Sequence, residues 1–227
     1  LRFGMHRDSD IRITDNTLDG EGYPRVRIEA PRFMRQPMIL RLRIAGTHTA
    51  WNAAAALAIG FAFGCGKRKM KQALEALEST GKRLQIRNVR GITILDDSYN
   101  ANPDSMLVAL DLLRHRKVEG ARCIVLGDML ELGKTARPEH EAIGAAVAAA
   151  DIPYVLTYGK HARAISSAVR DVAKVARHFT DKAALCAMLD VLLDEGDTVL
   201  VKGSRGMEME DIVTHLLCNQ ERTEALV

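Results

Sequence analysis

Ile92-Thr-Ile-Leu-Asp-Asp-Ser-Tyr-Asn-Ala-Asn-Pro-Asp-Ser-Met106 passes from a buried apolar run into a polar loop and then into a helix start. Ile92 to Leu95 is short, β-branched and unbroken, the pattern of a strand covered on both faces of a parallel sheet. Two carboxylates, a hydroxyl, a phenol and two amides follow at once. Asn102 and Pro103 read as N-cap and first helical residue, with Met106, Leu107, Leu110 and Leu113 at helical spacing behind them. Open α/β sheets bind their ligands at such a junction, outside the carboxyl ends of the strands. The loop holds more hydrogen-bonding side chains than capping requires, which favours a binding role over a plain turn.

Downstream the alternation repeats. Strands are expected at 92–95, 123–126, 154–157, 175–179 and 198–201, and helices over 104–115, 138–149, 162–172, 182–193 and 207–217. Regular alternation with buried strands implies an α/β fold: an open, mostly parallel, Rossmann-like sheet with helices on both faces and right-handed crossovers. No Gly-x-Gly-x-x-Gly follows the first strand, which argues against a standard dinucleotide site.

Two later strand ends also run into polar loops. In Gly127-Asp-Met-Leu-Glu-Leu-Gly133, Asp128 and Glu131 form either an acid–base pair or a structural loop closing on the next helix; no nucleophile lies nearby in sequence. In Val201-Lys-Gly-Ser-Arg-Gly-Met-Glu-Met-Glu210, the Lys202 ammonium, Ser204 and backbone N–H groups at a helix N-terminus make an anion site, or else a Gly-Ser turn with a surface lysine.

Upstream, Ile11 to Ile44 holds short alternating runs broken by Asp19-Gly20, Gly22, Pro24, Pro31 and Pro37, which reads as a small antiparallel sheet with its arginines on the solvated face. Gly46-Thr-His-Thr-Ala-Trp-Asn52 leads into an alanine-rich helix that Thr47 or Thr49 can cap. His48 and Asn52, four apart, share one side of its first turn. An amphipathic helix is expected over 67–79. Gly64-Cys-Gly-Lys67 fails as a phosphate loop: Phe61 stands at the first glycine position and Arg68 where Ser or Thr should bind Mg²⁺. Ser79 to Val89 is polar and reads as the boundary between two domains, 1–83 and 84–227.

Composition excludes several classes. The 227 residues are 47% hydrophobic and 27% charged, ordinary for a globular protein. A formal charge of +3, scattered basic residues and 4% aromatics give no footprint for nucleic acid. No apolar run reaches the roughly 18 residues of a membrane span. Cys65, Cys123, Cys186 and Cys218 form no CxxC pair, so buried thiols in a reducing, cytoplasmic setting are expected and cysteine metal ligation is not. Leu1-Arg-Phe-Gly4 opens as though a strand were entered midway, as in a piece of a longer protein.

Asp96-Asp-Ser-Tyr-Asn-Ala-Asn-Pro-Asp-Ser-Met106 resembles the signature of the Mur ligase family, in its branch that adds D-alanyl-D-alanine to UDP-N-acetylmuramoyl-tripeptide. The segments at 46–57, 127–133 and 202–210 resemble further family elements in the same order. The resemblance implies a C-terminal Rossmann-like ligase domain at 84–227, preceded at 1–83 by the end of a central ATP-binding domain whose phosphate loop is not in these residues. It implies an ATP-dependent ligase of peptidoglycan synthesis that phosphorylates the tripeptide carboxylate, lets the dipeptide amine attack the acyl phosphate, and releases ADP and phosphate.

The site residues follow from motif position. Asp97 would bond the ATP ribose, with Arg83, Asn52 and His48 on the nucleotide side; Thr49 stands where the family has its first asparagine. Tyr99, Asn100 and Asn102 would line the dipeptide pocket, with Lys202 and Ser204 as anion donors. ATP and Mg²⁺ are the implied cofactors, the Mg²⁺ ligands lying mostly outside this chain. A monomer is expected, and these residues alone are expected not to turn over ATP. Two rival readings stand beside it: a folate-polyglutamate ligase of the same superfamily, which would lack the Asn-Ala-Asn-Pro run, and a non-catalytic α/β binding module.

Overall fold

The computed structural model describes residues 1–79 and 84–218. They divide into two compact units, Leu1–Ser79 with His115–Lys117, and the remainder.

The first unit holds β1 (Phe3–Gly4), β2 (Ile11–Leu18), β3 (Pro24–Glu29), β4 (Met38–Arg41), α1 (Thr49–Ala62) and α2 (Lys67–Ala76). Alternation buries Ile11, Ile13, Val26, Ile28, Met38 and Leu40, and α1 covers them with Ala50, Ala53, Ala54, Leu57 and Ala58. Arg25, Arg27 and Arg41 face water as expected. The sheet runs β1-β2-β3-β4 and is mixed rather than antiparallel, because β1 joins β2 in parallel. A two-residue strand is too short to show an alternation.

Neither threonine caps α1. His48 occupies the N-cap with helical backbone angles and makes no side-chain cap bond, while the Thr49 hydroxyl donates backwards to the Gly46 carbonyl at 2.8 Å. α2 stops at Ala76, short of the expected Ser79. The chain turns extended at Leu77, and Glu78 forms a parallel bridge with Arg43.

The second unit holds β5 (Gln85–Val89), β6 (Ile92–Asp97), α3 (Pro103–His115), β7 (Arg122–Gly127), α4 (Ala136–Ala149), β8 (Tyr154–Tyr158), α5 (Arg163–Ala168), β9 (Val175–Phe179), α6 (Lys182–Leu192), β10 (Thr198–Lys202) and α7 (Glu210–Cys218). Its sheet runs β5-β6-β10-β7-β8-β9, parallel except for β5. Ile94, Cys123, Val125, Val199 and Val201 face α6 and α7, packing on Leu185, Leu189, Ile212 and Val213. Their alternates Leu95, Ile124, Leu126, Val155 and Leu200, also buried, form the opposite face.

Residues 85–89, read as linker, form β5, which pairs with β6 across Arg90-Gly91; both residues have positive φ, +48° and +73°, as a tight type I′ hairpin requires. Helix α5 ends at Ala168 rather than 172.

The order of strands decides where a ligand can sit. The chain leaves β6, builds β7, β8 and β9 outward, then returns to insert β10 between β6 and β7. The carboxyl ends of these three strands therefore meet at the point where winding reverses, which is the crevice of doubly wound sheets.

The buried thiols follow from the same packing. Burial pushes the Cys186 thiol up to about 11 and the Cys123 thiol higher still, while Cys65 and Cys218 are exposed. In the folded protein at pH 8, a thiol reagent such as DTNB should label Cys65 and Cys218 within minutes and the other two only after denaturant is added. Fast labelling of Cys123 would contradict this packing.

Candidate functional site

Asp97 and Lys202 are register partners at the ends of β6 and β10. The Lys202 side chain is 2% exposed, yet its ammonium is compensated: Nζ lies 2.5 Å from Asp97 Oδ2 and 2.9 Å from the Asn100 carbonyl. Asp97 Oδ1 accepts the Leu84 N–H at 3.1 Å. A buried charge pair persists only with such geometry, since desolvation otherwise outweighs the attraction. Two of the three ammonium protons thus hold the loop after β6 against its own strand.

Asp96 points to the other face and is buried. Its Oδ1 accepts the Ser98 N–H and hydroxyl at 3.2 and 2.6 Å, turning the chain out of the strand. Asn102 caps α3 as expected: its Oδ1 accepts the Ser105 N–H at 2.8 Å, and Ser105 Oγ accepts the Asn102 N–H at 3.0 Å. Tyr99, Asn100 and Asn102 lie on the exposed side of this loop.

Ser204 ties three loops together. Its hydroxyl donates to the Ala101 carbonyl and accepts the Leu130 N–H at 2.8 Å, while its N–H donates to the Asp128 carbonyl at 3.0 Å. The strand ends approach closely because glycine stands on both. A Cβ on Gly203 would lie 2.5 Å from Met209 Cγ and 3.2 Å from Gly127 Cα.

Asp128 is structural. Its buried carboxylate accepts three backbone N–H groups, from Lys160, His161 and Ala162, at 2.7–2.9 Å. Glu131 is exposed on the same loop, and the commitment of Asp128 to backbone N–H groups favours the structural-loop alternative. His140 supports the loop from below. Its Nε2 accepts the Met129 N–H at 3.0 Å, which places the ring proton on Nδ1, 2.6 Å from the Ala136 carbonyl.

The expected meeting of Lys202 and Ser204 with a helix N-terminus is altered. Arg205–Met207 is a separate 3-10 turn, Glu208 follows in the left-handed region (φ +48°), and α7 starts only at Glu210. Its first turn is filled by Glu210 and Asp211, and Arg205 pairs with Glu210.

Of the sequence-expected site residues, Asp97, Tyr99, Asn100, Asn102, Lys202 and Ser204 gather at the ends of β6 and β10. His48 and Asn52 lie in the first unit on successive turns of α1, His48 half-buried and Asn52 exposed. Arg83 lies outside the described residues. Sequence reading missed the staple role of Asp128; the glycine at 159 after β8 was its one visible sign.

A family model described as "Mur ligase, glutamate ligase domain" matches residues 82–205. The UDP-N-acetylmuramoyl-tripeptide–D-alanyl-D-alanine ligase of Bacillus subtilis is 34% identical over 94% of this chain and 46% of its own length. The Escherichia coli ligase of the same name is 39% identical over 77% of the chain and 38% of its length. The chain thus spans about half the length of the curated relatives it matches. Among solved structures, MurF from Acinetobacter baumannii is 26% identical with a TM-score of 0.81, over 94% of this chain and 46% of that one. The MurF ligase of Thermotoga maritima in complex with ADP, 23% identical with a TM-score of 0.80, shares the fold over 97% of this chain and 49% of its own.

Proposed function

This chain belongs to the Mur ligase family, and from that premise we propose that it is the dipeptide-receiving part of an ATP-dependent amide-bond ligase. In this reading the enzyme joins D-alanyl-D-alanine to UDP-N-acetylmuramoyl-tripeptide during peptidoglycan precursor synthesis. The observation that carries it is the meeting of the 96–106 loop with the Lys202–Asp97 pair at the strand ends.

The chemistry needs positioning and charge neutralisation rather than an enzyme nucleophile. ATP activates the tripeptide carboxylate as an acyl phosphate, the dipeptide amine attacks it, and the tetrahedral adduct collapses to an amide and phosphate. Asp97, already oriented by Lys202 and the Leu84 N–H, takes a ribose hydroxyl; Arg83, Asn52 and His48 serve the nucleotide from their own segments. Tyr99, Asn100 and Asn102 face the dipeptide. Lys202 and Ser204 act on it through the loops they hold.

Among the described residues no group of three or more His, Cys, Asp or Glu could hold a metal ion, and we place the ligands of the Mg²⁺ that serves ATP mostly outside this chain. We assign the reaction to the cytoplasm and to a monomer. Four free cysteines support a reducing compartment, and among the described residues no helix is long and apolar enough to cross a membrane.

The test is phosphate release. The 227-residue chain by itself should release none from ATP in the presence of both other substrates. The same chain preceded by the first half of the Bacillus subtilis relative should release it only when the tripeptide precursor and dipeptide are both added. Release that ignores the dipeptide would refute the assignment, and a chimera that binds no substrate would favour a docking module.

A further inference from the structure

The dipeptide of the proposed reaction must react through its amine, so its recognisable charge is the carboxylate at the far end. A site for it needs a cation that water can reach. The loops that follow β6, β7 and β10 span 98–102, 128–135 and 203–209, and they contain two cations: Lys134, in the 3-10 turn before α4, and Arg205, whose backbone lies against the first of these loops. Lys202, at the end of β10, is buried and committed to Asp97 and Asn100. Arg205 is 58% exposed at the side chain.

The backbone fixes Arg205 beside the substrate loop. Its N–H points to Asn100 Oδ1 at 3.4 Å, and the neighbouring Ser204 hydroxyl is bonded to Ala101. Its guanidinium pairs with Glu210 across the 3-10 turn. Glu210 is largely buried and Arg205 is not, so the guanidinium keeps Glu210 and leaves its other N–H groups for a substrate carboxylate. Next to it, Leu130 lies over Gly206, where a Cβ would come within 2.9 Å of Leu130 Cδ1. Leu130 is also exposed, and its N–H is anchored on Ser204. A guanidinium beside a small apolar surface suits a carboxylate whose α-carbon bears a methyl group.

We propose that Arg205 is the specificity-determining residue that reads the terminal carboxylate of the incoming dipeptide while keeping its pair with Glu210. This rests on the reading of the site as a dipeptide site. The test is an NMR titration of the protein with D-Ala-D-Ala and with its C-terminal amide, following backbone amides and the Arg Nε–H resonances. The wild-type protein should bind the acid roughly 10- to 100-fold more tightly than the amide, the worth of one or two charge-assisted hydrogen bonds. Arg205→Ala should bind both ligands equally and as weakly as the wild type binds the amide. Arg205→Lys, which keeps the charge without the fork, should fall between, and Lys160→Ala, on the loop one strand further out, should keep the full preference.

Preference for the acid that survives in Arg205→Ala would overturn the proposal, as would equal binding of acid and amide by the wild type; in both cases the dipeptide site itself stands. Binding of neither ligand by the wild type would overturn the site reading and this inference together.

Discussion

Lys202→Met lowers the stability of the protein by about 3–5 kcal/mol, the cost of stranding one member of a buried ion pair. The ammonium is sealed from water and bonds Asp97 and the Asn100 carbonyl, so its loss takes the cation away from a largely buried carboxylate at the end of β6. Methionine fills most of the lysine stem, so little of the effect comes from a cavity. Urea unfolding followed by circular dichroism should show a lower midpoint at unchanged slope. The double variant Lys202→Met/Asp97→Asn removes the stranded charge and should recover most of the loss. A single variant within about 1 kcal/mol of the wild type would mean that the pair is dispensable, as exposed pairs are.

Asp128→Ala is the second large effect, about 4 kcal/mol. The carboxylate holds three backbone N–H groups at the entrance to α5, and hydrogen bonds to a charged group contribute about 1.5–3 kcal/mol each without adding fully. Alanine leaves those donors buried and unmet. Asp128→Asn should cost about half as much, because its oxygen can keep the His161 and Ala162 bonds that Oδ1 makes and loses only the Lys160 bond. Hydrogen exchange at these three amides should quicken in the same order. Gly159 belongs to the same device: at φ +117°, a Cβ there would lie 2.6 Å from the Asp128 carboxylate, so only glycine lets the loop close on it. Unchanged exchange at Lys160, His161 and Ala162 in Asp128→Ala would show that the carboxylate does not hold the loop.

Much of the second unit was legible. Each strand from β6 to β10 was expected within two residues of its bounds, and Asn102 was expected as the cap it is, because burial runs and caps are written in contiguous residues. The misses have a common cause. β5 carries few apolar residues and is a strand only because β6 offers it a partner. The Thr49 hydroxyl could accept as a cap or donate to a carbonyl, and the turn at Gly46 decided for the second. α7 began late because Glu208 takes a left-handed conformation that no local propensity announces. The Mur ligase resemblance drew attention to Lys202 and Ser204 as anion donors, whereas the structure uses both to bind neighbouring loops.

By itself the sequence determined the order and kind of the elements, the polar loop after β6 and the family to which these motifs belong, since all of these depend on residues close together in the chain. The tertiary structure alone decided that β10 returns between β6 and β7. That insertion sets Lys202 against Asp97, 105 residues away, and so leaves Arg205 rather than Lys202 as the exposed cation of its segment. Charge pairing of this kind depends on which strands become neighbours, and a parallel sheet chooses neighbours by packing its helices, which no local stretch of sequence encodes.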